Sequence, residues 1–567
     1  MSDPERFHIA LLWHMHQPQY RDALSGEQVL PWTWLHAIKD YVDMAAHLEA
    51  NPRAQVVINF APVLLEQIDE LARSVKAHLA GEHATLDPVL TLLTDRPLPA
   101  EPARRIALAR SCLRAHRTHL IGRYPAYTAL AELADLLVNE RHIEYASEQF
   151  LRDLAVWFHL AWLGETVKRR DMRIEALLQQ ERGFTPTQRR TLLELIGELL
   201  AGVLPRYRSL ARRGQIELSL SPYSHPILPL LIDLAAAREA QPAAPLPTAG
   251  ERYPGGLERA HWQMYEALSR FERTLGVSPA GCWPSEGAIS TPTLELLNHH
   301  GLRWVASGGA VLHGSLAQEH ATEGLPEPAG WHRAWQVEGQ QLRCFFRDDA
   351  LSDLIGFTYS TWHADDAVAH FIGELERAAE SARRAGGDVL LIALDGENAW
   401  EHYPFNGYYF LRGLYVALTE HPWLQLTTLS RHCTGGAAPL RLPRVRAGSW
   451  VHGTLATWIG SADKNRAWNL LIEAKRAVDT ALASGRFGAE ERRRIELQLA
   501  QCESSDWFWW FGDYNPADAV RDFDLLYRHQ LTRLYQMLRL PVPPSLSTVI
   551  SVGRGTPEQG GVMQRAT

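Results

Sequence analysis

The chain has 567 residues, 46% hydrophobic and 22% charged, with a formal net charge of −8 and a sequence pI near 6.3. These values exclude a mainly disordered chain, a collagen-like repeat and a disulfide-stapled miniprotein, and leave room for three to four domains' worth of globular structure. No concentrated basic run offers the positive face that nucleic-acid binding needs. The five cysteines (Cys112, Cys282, Cys344, Cys433, Cys502) are odd in number, widely spaced and free of CxxC, so neither a zinc ribbon nor a disulfide framework is indicated. The first six residues lack a basic segment leading into an apolar stretch, and no apolar run reaches the ~18 residues that span a bilayer. The expectation is a reduced, soluble, cytoplasmic protein without nucleic-acid or membrane partners. One anomaly remains: 19 Trp against 7 Met. Trp is awkward to bury because its indole N–H wants a partner, so the excess points to large aromatic cores or to a groove lined with flat rings.

In chain order, an apolar run over 8–15 reads as a buried strand, 35–50 has helical spacing, and 56–60 reads as a second strand. Strand, helix, strand is the pattern of a parallel sheet. From about 97 to 213 the texture becomes rich in Ala, Leu, Arg and Glu with helical periodicity, which predicts a helical insertion. Strand-like runs return at 216–220, 280–283, 303–306, 342–346, 389–394 and 424–429, separated by helical stretches such as 257–275 and 365–384. Repeated βα units over some 430 residues point to a (β/α) barrel or an incomplete one. A doubly wound sheet is the alternative, but no glycine-rich phosphate loop follows the first strand. Residues 237–250 read as a loop. Beyond 440 the pattern is helical (462–484, 489–502, 517–538), and a Gly-rich polar tail within 546–567 reads as disordered.

In barrels of this kind, chemistry sits at the C-terminal ends of strands, so polar residues directly after apolar runs are the candidates. Five segments qualify. The first is Trp13-His14-Met15-His16-Gln17-Pro18, whose two His residues share one face of an extended strand. The second runs from Gly214-Gln215-Ile216-Glu217 to His225; Glu217 on a buried strand needs a partner, and His225 is a ligand-contact candidate. The third is Trp283-Pro284-Ser285-Glu286-Gly287, a carboxylate on a tight turn. The fourth is Leu394-Asp395-Gly396-Glu397-Asn398-Ala399-Trp400, where an unbroken apolar run ends in an acid. A carboxylate at a barrel mouth is destabilising unless used or paired; singly, each acid could equally be a structural ion pair or a turn cap. Glu286 and Asp395 on different strand ends are what glycosidic cleavage needs, one protonated to release the leaving oxygen and one ionised to attack or to activate water. The fifth is aromatic: Ser449-Trp450 through Trp458 to Trp468, then Asp506-Trp507-Phe508-Trp509-Trp510. Sugar rings have apolar faces and polar edges, and Trp with carboxylate suits them.

Taken together and in order, these five segments resemble the motifs of glycoside hydrolase family 57, a family of α-glucan-active enzymes. The resemblance implies an α/β fold, an incomplete (β/α)7 barrel with a helical insertion followed by a C-terminal helical domain. The pattern of elements divides the chain into a catalytic barrel at 1–435, a helical domain at 440–545 and the tail, and the resemblance implies that the helical domain completes the cleft. It implies a retaining mechanism with Glu286 as nucleophile and Asp395 as general acid/base. His14, His16, Gln17, His225, Trp283, Trp400, Trp458, Asp506 and Trp507 would contact an α-glucan substrate, with no cofactor and no metal. The runs His16-Gln17-Pro18-Gln19-Tyr20-Arg21-Asp22 and Asp395 to Pro404 look like the amylopullulanase and α-amylase branch. Ser285 and Ala288 exchange the Ala and Ser expected there, and His452, Thr454 and Ala456 replace more polar residues of the fifth motif. 4-α-Glucanotransferase activity at the same site is an alternative. A metal-dependent α-mannosidase- or deacetylase-like enzyme is another, motivated by the His14/His16 pair, and a non-catalytic α-glucan-binding protein is a third.

Overall fold

The computed structural model describes residues 6–139, 141–319 and 331–555. Its strands are β1 (Phe7–Met15), β2 (Val56–Phe60), β3 (Ile216–Leu220), β4 (Gly281–Cys282), β5 (Trp304–Gly308), β6 (Trp335–Val337), β7 (Arg343–Arg347), β8 (Val389–Asp395), β9 (Leu424–Thr427) and β10 (Leu440–Leu442). Seven of them close on themselves, all parallel, in the order β1-β2-β3-β4-β5-β7-β8 and back to β1. This is the expected (β/α)7 barrel. Closure is thin in two places. β3 meets β4 only at Leu220 and Cys282, and β7 meets β8 only at Arg347 and Leu391. β9 pairs with the lower half of β1, while β6 and β10 extend the sheet outside the barrel beyond β7.

Strands buried on both faces read as continuous apolar runs, which is why β1, β2 and β8 stood out. Side chains alternate along a strand, and the alternation divides the core in two. Ala10, Leu12, Val57, Trp304, Ala306, Phe345, Leu391 and Ala393 form a cluster inside the barrel. Their neighbours Ile9, Leu11, Ile58, Leu390 and Ile392 belong to the larger core shared with the surrounding helices. Gly281 in β4 is dictated by this interior, since a Cβ there would lie 1.8 Å from the Trp304 ring. The helix Leu429–Gly435 plugs the lower end. There Glu217, which was open to a functional or structural reading, accepts from the Trp304 indole (2.7 Å), the Ser430 amide (2.9 Å) and the Ser430 hydroxyl. It is a structural group.

Between β2 and β3 lie the helices of the insertion, from Pro102–Ser111 to Pro186–Arg212. Proline at the first helical position starts three of them (Pro102, Pro125, Pro186), where its missing N–H costs nothing. Thr185 and Gln188 complete a capping box on the longest. After β10 come Ala462–Ala483, Ala489–Cys502, Asp506–Trp510 and Ala517–Met537. The loop expected at 237–250 begins with one helical turn, Ala237–Ala240. Within the expected tail, residues up to 555 are instead docked. Ile550 is buried, and its amide donates to Asp524 at 2.7 Å, because an apolar residue and a buried acceptor fix this stretch. Residues 556–567 of that tail lie outside the described residues. Among the described residues no helix is long and apolar enough to cross a membrane.

Candidate active site

The alternation that builds the barrel interior also builds its mouth. One step above Leu12, Val57, Phe345 and Ala393 on the same inner face stand His14, Asn59, Arg347 and Asp395. Beyond β4 the chain turns sharply through Glu286, which adopts the left-handed conformation (φ 59°, ψ 24°). His14, Arg347, Asp395 and Glu286 open into a cavity of about 810 Å³, lined further by His16, Gln17, His225, Glu397, Trp450, Asp506 and Trp510.

Glu286 is held by the Trp450 indole, whose N–H donates to Oε2 at 3.0 Å, and its own carbonyl accepts the Trp450 amide at 3.1 Å. Burial, then the charges of Asp395 and Asp506, push its carboxyl well above the usual range, while hydrogen bonds from Trp450 and Ser505 pull the other way. Asp395 is pushed up to about 6, chiefly by burial, against the Asn398 amide and nearby His16 and Arg347. Asn398 Nδ2 donates to Asp395 Oδ2 at 2.8 Å. Burial raises both carboxyls, and the charge of Asp395 raises Glu286 further. Each acid has a donor of its own, the Trp450 indole for Glu286 and the Asn398 amide for Asp395.

Three imidazoles stack beside the acids. The ring centroids of His16 and His225 are 3.8 Å apart and those of His14 and His225 are 5.0 Å apart, with planes tilted by 17° in both pairs. His14 donates through Nδ1 to Asn59 Oδ1 at 2.7 Å, His16 donates through Nε2 to Asp506 Oδ2 at 2.8 Å, and His225 Nδ1 lies 2.9 Å from Ser505 Oγ. Burial and the neighbouring rings push His14 down to about 3 and His225 well below its usual value, so both are neutral. His16 Nδ1, His225 Nε2 and Glu397 Oε2 are buried and find no partner within the protein. Glu397, two residues past Asp395, takes donors on its other oxygen from the His16 amide (3.1 Å), Tyr41 hydroxyl (3.0 Å) and Gln17 amide (3.3 Å).

The model of Glycosyl hydrolase family 57 matches residues 10–444. The chain belongs to glycosyl hydrolase family 57. Solved structures of the family share its fold at low identity. A branching enzyme from Thermococcus kodakaraensis is 14% identical, with 94% of this chain and 90% of that one covered and a TM-score of 0.57. An α-amylase from Thermotoga maritima is 14% identical over 94% and 96% of the two chains, with a TM-score of 0.54. A 4-alpha-glucanotransferase from Thermococcus litoralis is 14% identical over 94% of this chain and 60% of its own, with a TM-score of 0.51. No curated protein sequence matches the chain.

The family 57 match contains Glu286 and Asp395 but ends before Trp450, Asp506, Trp509 and Trp510, which complete the cavity. Of the expected residues, His14, His16, Gln17, His225, Glu286, Asp395 and Asp506 line it together. Four expected aromatic contacts do not. Trp283 is fully buried against Trp450, their centroids 5.1 Å apart. Trp400 turns its N–H back to the Gly396 carbonyl at 3.0 Å and packs on Trp13. Trp507 donates to the Gln501 carbonyl at 2.9 Å, and Trp458 is buried beside Trp509. Trp450, Trp509 and Trp510 are the indoles that face the cavity from the C-terminal half. Arg347 was not singled out from sequence, and Glu397 and Asn398 were read only as parts of the fourth segment. Arg347 ends a strand run as Asp395 does, and Asn398 lies one turn beyond it, so the same reading of strand ends could have found them.

Metal chemistry motivated one alternative, and His16, His225 and Asp506 do bring ligand-type atoms within 4.8 Å of one another. An imidazole lone pair lies in the ring plane. Two rings stacked 3.8 Å apart with nearly parallel planes cannot both aim a lone pair at one ion. The donor set therefore does not fit a shared cation, and the stacked edges suit hydrogen bonds to hydroxyl groups.

The Asn398 contact makes a pH prediction. Its amide favours ionised Asp395, so Asn398→Ala raises the Asp395 carboxyl above its present value of about 6. A general acid acts only while protonated, and activity falls as pH rises through its pKa. The descending limb of the kcat/KM–pH profile should move to higher pH in the variant. An unmoved or lowered limb would show that Asp395 is not the titrating acid.

Proposed function

We propose that the chain is a retaining α-glucan-active enzyme of the amylopullulanase and α-amylase type, with Glu286 as nucleophile and Asp395 as general acid/base. The observation that carries this reading is that two carboxyls from different strand ends open into one cavity, Glu286 with the Trp450 indole on Oε2 and Asp395 with the Asn398 amide on Oδ2. In the first step Glu286 attacks the anomeric carbon. The bond to the leaving oxygen breaks, and that oxygen takes the proton of Asp395. In the second step Asp395 takes a proton from water, whose oxygen displaces Glu286 from the same face that the leaving group left. A glucan hydroxyl in place of that water gives transfer instead of hydrolysis, which is the 4-α-glucanotransferase reading of the same site. Sugar hydroxyls would satisfy the buried nitrogens of His16 and His225 and the second oxygen of Glu397. Residues 440–545 act as the region that completes the cleft, through Trp450, Asp506, Trp509 and Trp510.

The test is incubation with maltooligosaccharides, amylose and pullulan, with chromatography of products and proton NMR of the first anomer formed. The expected first product is the α-anomer. Maltotriose from pullulan means α-1,6 cleavage, and oligosaccharides longer than those supplied mean transfer. A β-anomer first, or no product from any α-glucan, would sink the proposal.

A further inference from the structure

We infer, resting on the α-glucan reading above, that the ion pair between Arg114 and Asp522 closes one end of the cavity and makes the enzyme act from chain ends. Arg114 lies in the insertion, just after the helix Pro102–Ser111, and Asp522 lies on the helix Ala517–Met537 near the C-terminus. Both line the cavity, and Arg114 Nη2 reaches Asp522 Oδ2 at 2.6 Å. A half-buried pair of this kind is worth little when both side chains must be ordered to form it. Here Arg114 is already placed. Its carbonyl accepts the Trp162 indole N–H at 3.0 Å, and its guanidinium lies 6.0 Å from the Trp32 ring centroid.

The contacts continue on both sides of the pair. His116, two residues on, meets His402 edge to face at 5.4 Å, tying the same loop to the segment after β8. Phe523, beside Asp522, stacks on Trp510 at 4.7 Å and meets Tyr20 at 6.3 Å. From His402 to Trp510 three side-chain contacts, His402 with His116, Arg114 with Asp522 and Phe523 with Trp510, linked by short stretches of chain, join the insertion to the C-terminal helices. An enzyme that cuts inside a long chain needs a groove open at both ends. A glucan running past Arg114 and Asp522 would have to separate two opposite charges, whereas a chain terminus can stop against them. The pair sets which substrates enter; the bond-breaking groups lie elsewhere in the cavity.

The experiment compares an uncapped maltooligosaccharide with the same oligosaccharide bearing a benzylidene cap at its non-reducing end or an aryl cap at its reducing end, following consumption by chromatography. At least one cap is expected to slow the wild type by about tenfold or more. Arg114→Ala and Asp522→Ala should each shrink that ratio, and the exchange Arg114→Asp with Asp522→Arg should restore it. Equal consumption of capped and uncapped chains by the wild type, or an unchanged ratio in both alanine variants, overturns the inference and leaves the functional reading intact. Failure to consume the uncapped chain removes both.

Discussion

Replacing Glu286 by Gln or Asp395 by Asn is expected to lower kcat/KM on maltooligosaccharides by about 10³-fold or more. Each substitution keeps the size and hydrogen-bonding reach of the side chain, so loss of activity reports the lost charge or proton. The two variants should then separate on a second substrate. An aryl glycoside with an acidic phenol leaves without needing a proton. Asp395→Asn should regain much of its first step on that substrate, seen as a burst of phenol followed by slow turnover. Glu286→Gln should stay inactive on both, because no leaving group replaces a nucleophile. Wild-type-like rates in either variant, or a burst from Glu286→Gln, would refute the assignment of roles.

The second large effect concerns stability. Glu503 is buried and receives four donors: Arg259 Nε at 2.8 Å and Nη2 at 2.9 Å, the Tyr253 hydroxyl at 2.8 Å and the Gln263 amide at 2.8 Å. Arg259 and Gln263 lie on the helix Gly256–Leu275, before β4, whereas Glu503 ends the helix Ala489–Cys502. Removing one partner of a buried ion pair strands the other charge, at a cost of about 3–5 kcal/mol. Arg259→Ala is therefore expected to lower the unfolding free energy by that order, measured by chemical denaturation. The double change Arg259→Met with Glu503→Gln, which leaves no orphaned charge, should cost clearly less. Glu503 is followed directly by Ser504, Ser505 and Asp506, which bond Asp506, His225 and His16. Activity in Arg259→Ala should therefore fall at temperatures where the protein is still folded. A double variant no more stable than the single one would show that the pair is not what holds this junction.

Much of the barrel was legible because parallel strands buried on both faces leave unbroken apolar runs. β2 and β3 fell on the expected residues, and β1 and β8 within a residue of them. β4 lies inside the expected run 280–283, whereas β6 and β10 span three residues each, too short to show a period. Asp395 was legible as the acid that ends such a run, and Glu286 as the acid on the turn after Trp283-Pro284. The aromatic wall was harder for a physical reason. Asp506–Trp510 is one short helix, on which positions three and four apart share a face. Asp506, Trp509 and Trp510 accordingly face the cavity, and Trp507 between them faces the core. A run of indoles in sequence does not say which of them is wet until its periodicity is known. The Arg259–Glu503 junction joins residues far apart in the chain and left no local mark at all.

Glu286 and His225 are both non-glycine residues in the left-handed region, at φ 59° and φ 64°. Such a conformation costs about 1–2 kcal/mol for a residue with a Cβ. At Glu286 it adds to the burial of a carboxyl beside two other acids. The same position would be relaxed by glycine or asparagine. Selection of this protein for heat resistance alone, with no demand for turnover, would therefore tend to discard the very side chain proposed to react, and any thermostabilisation campaign on it should hold position 286 fixed from the outset.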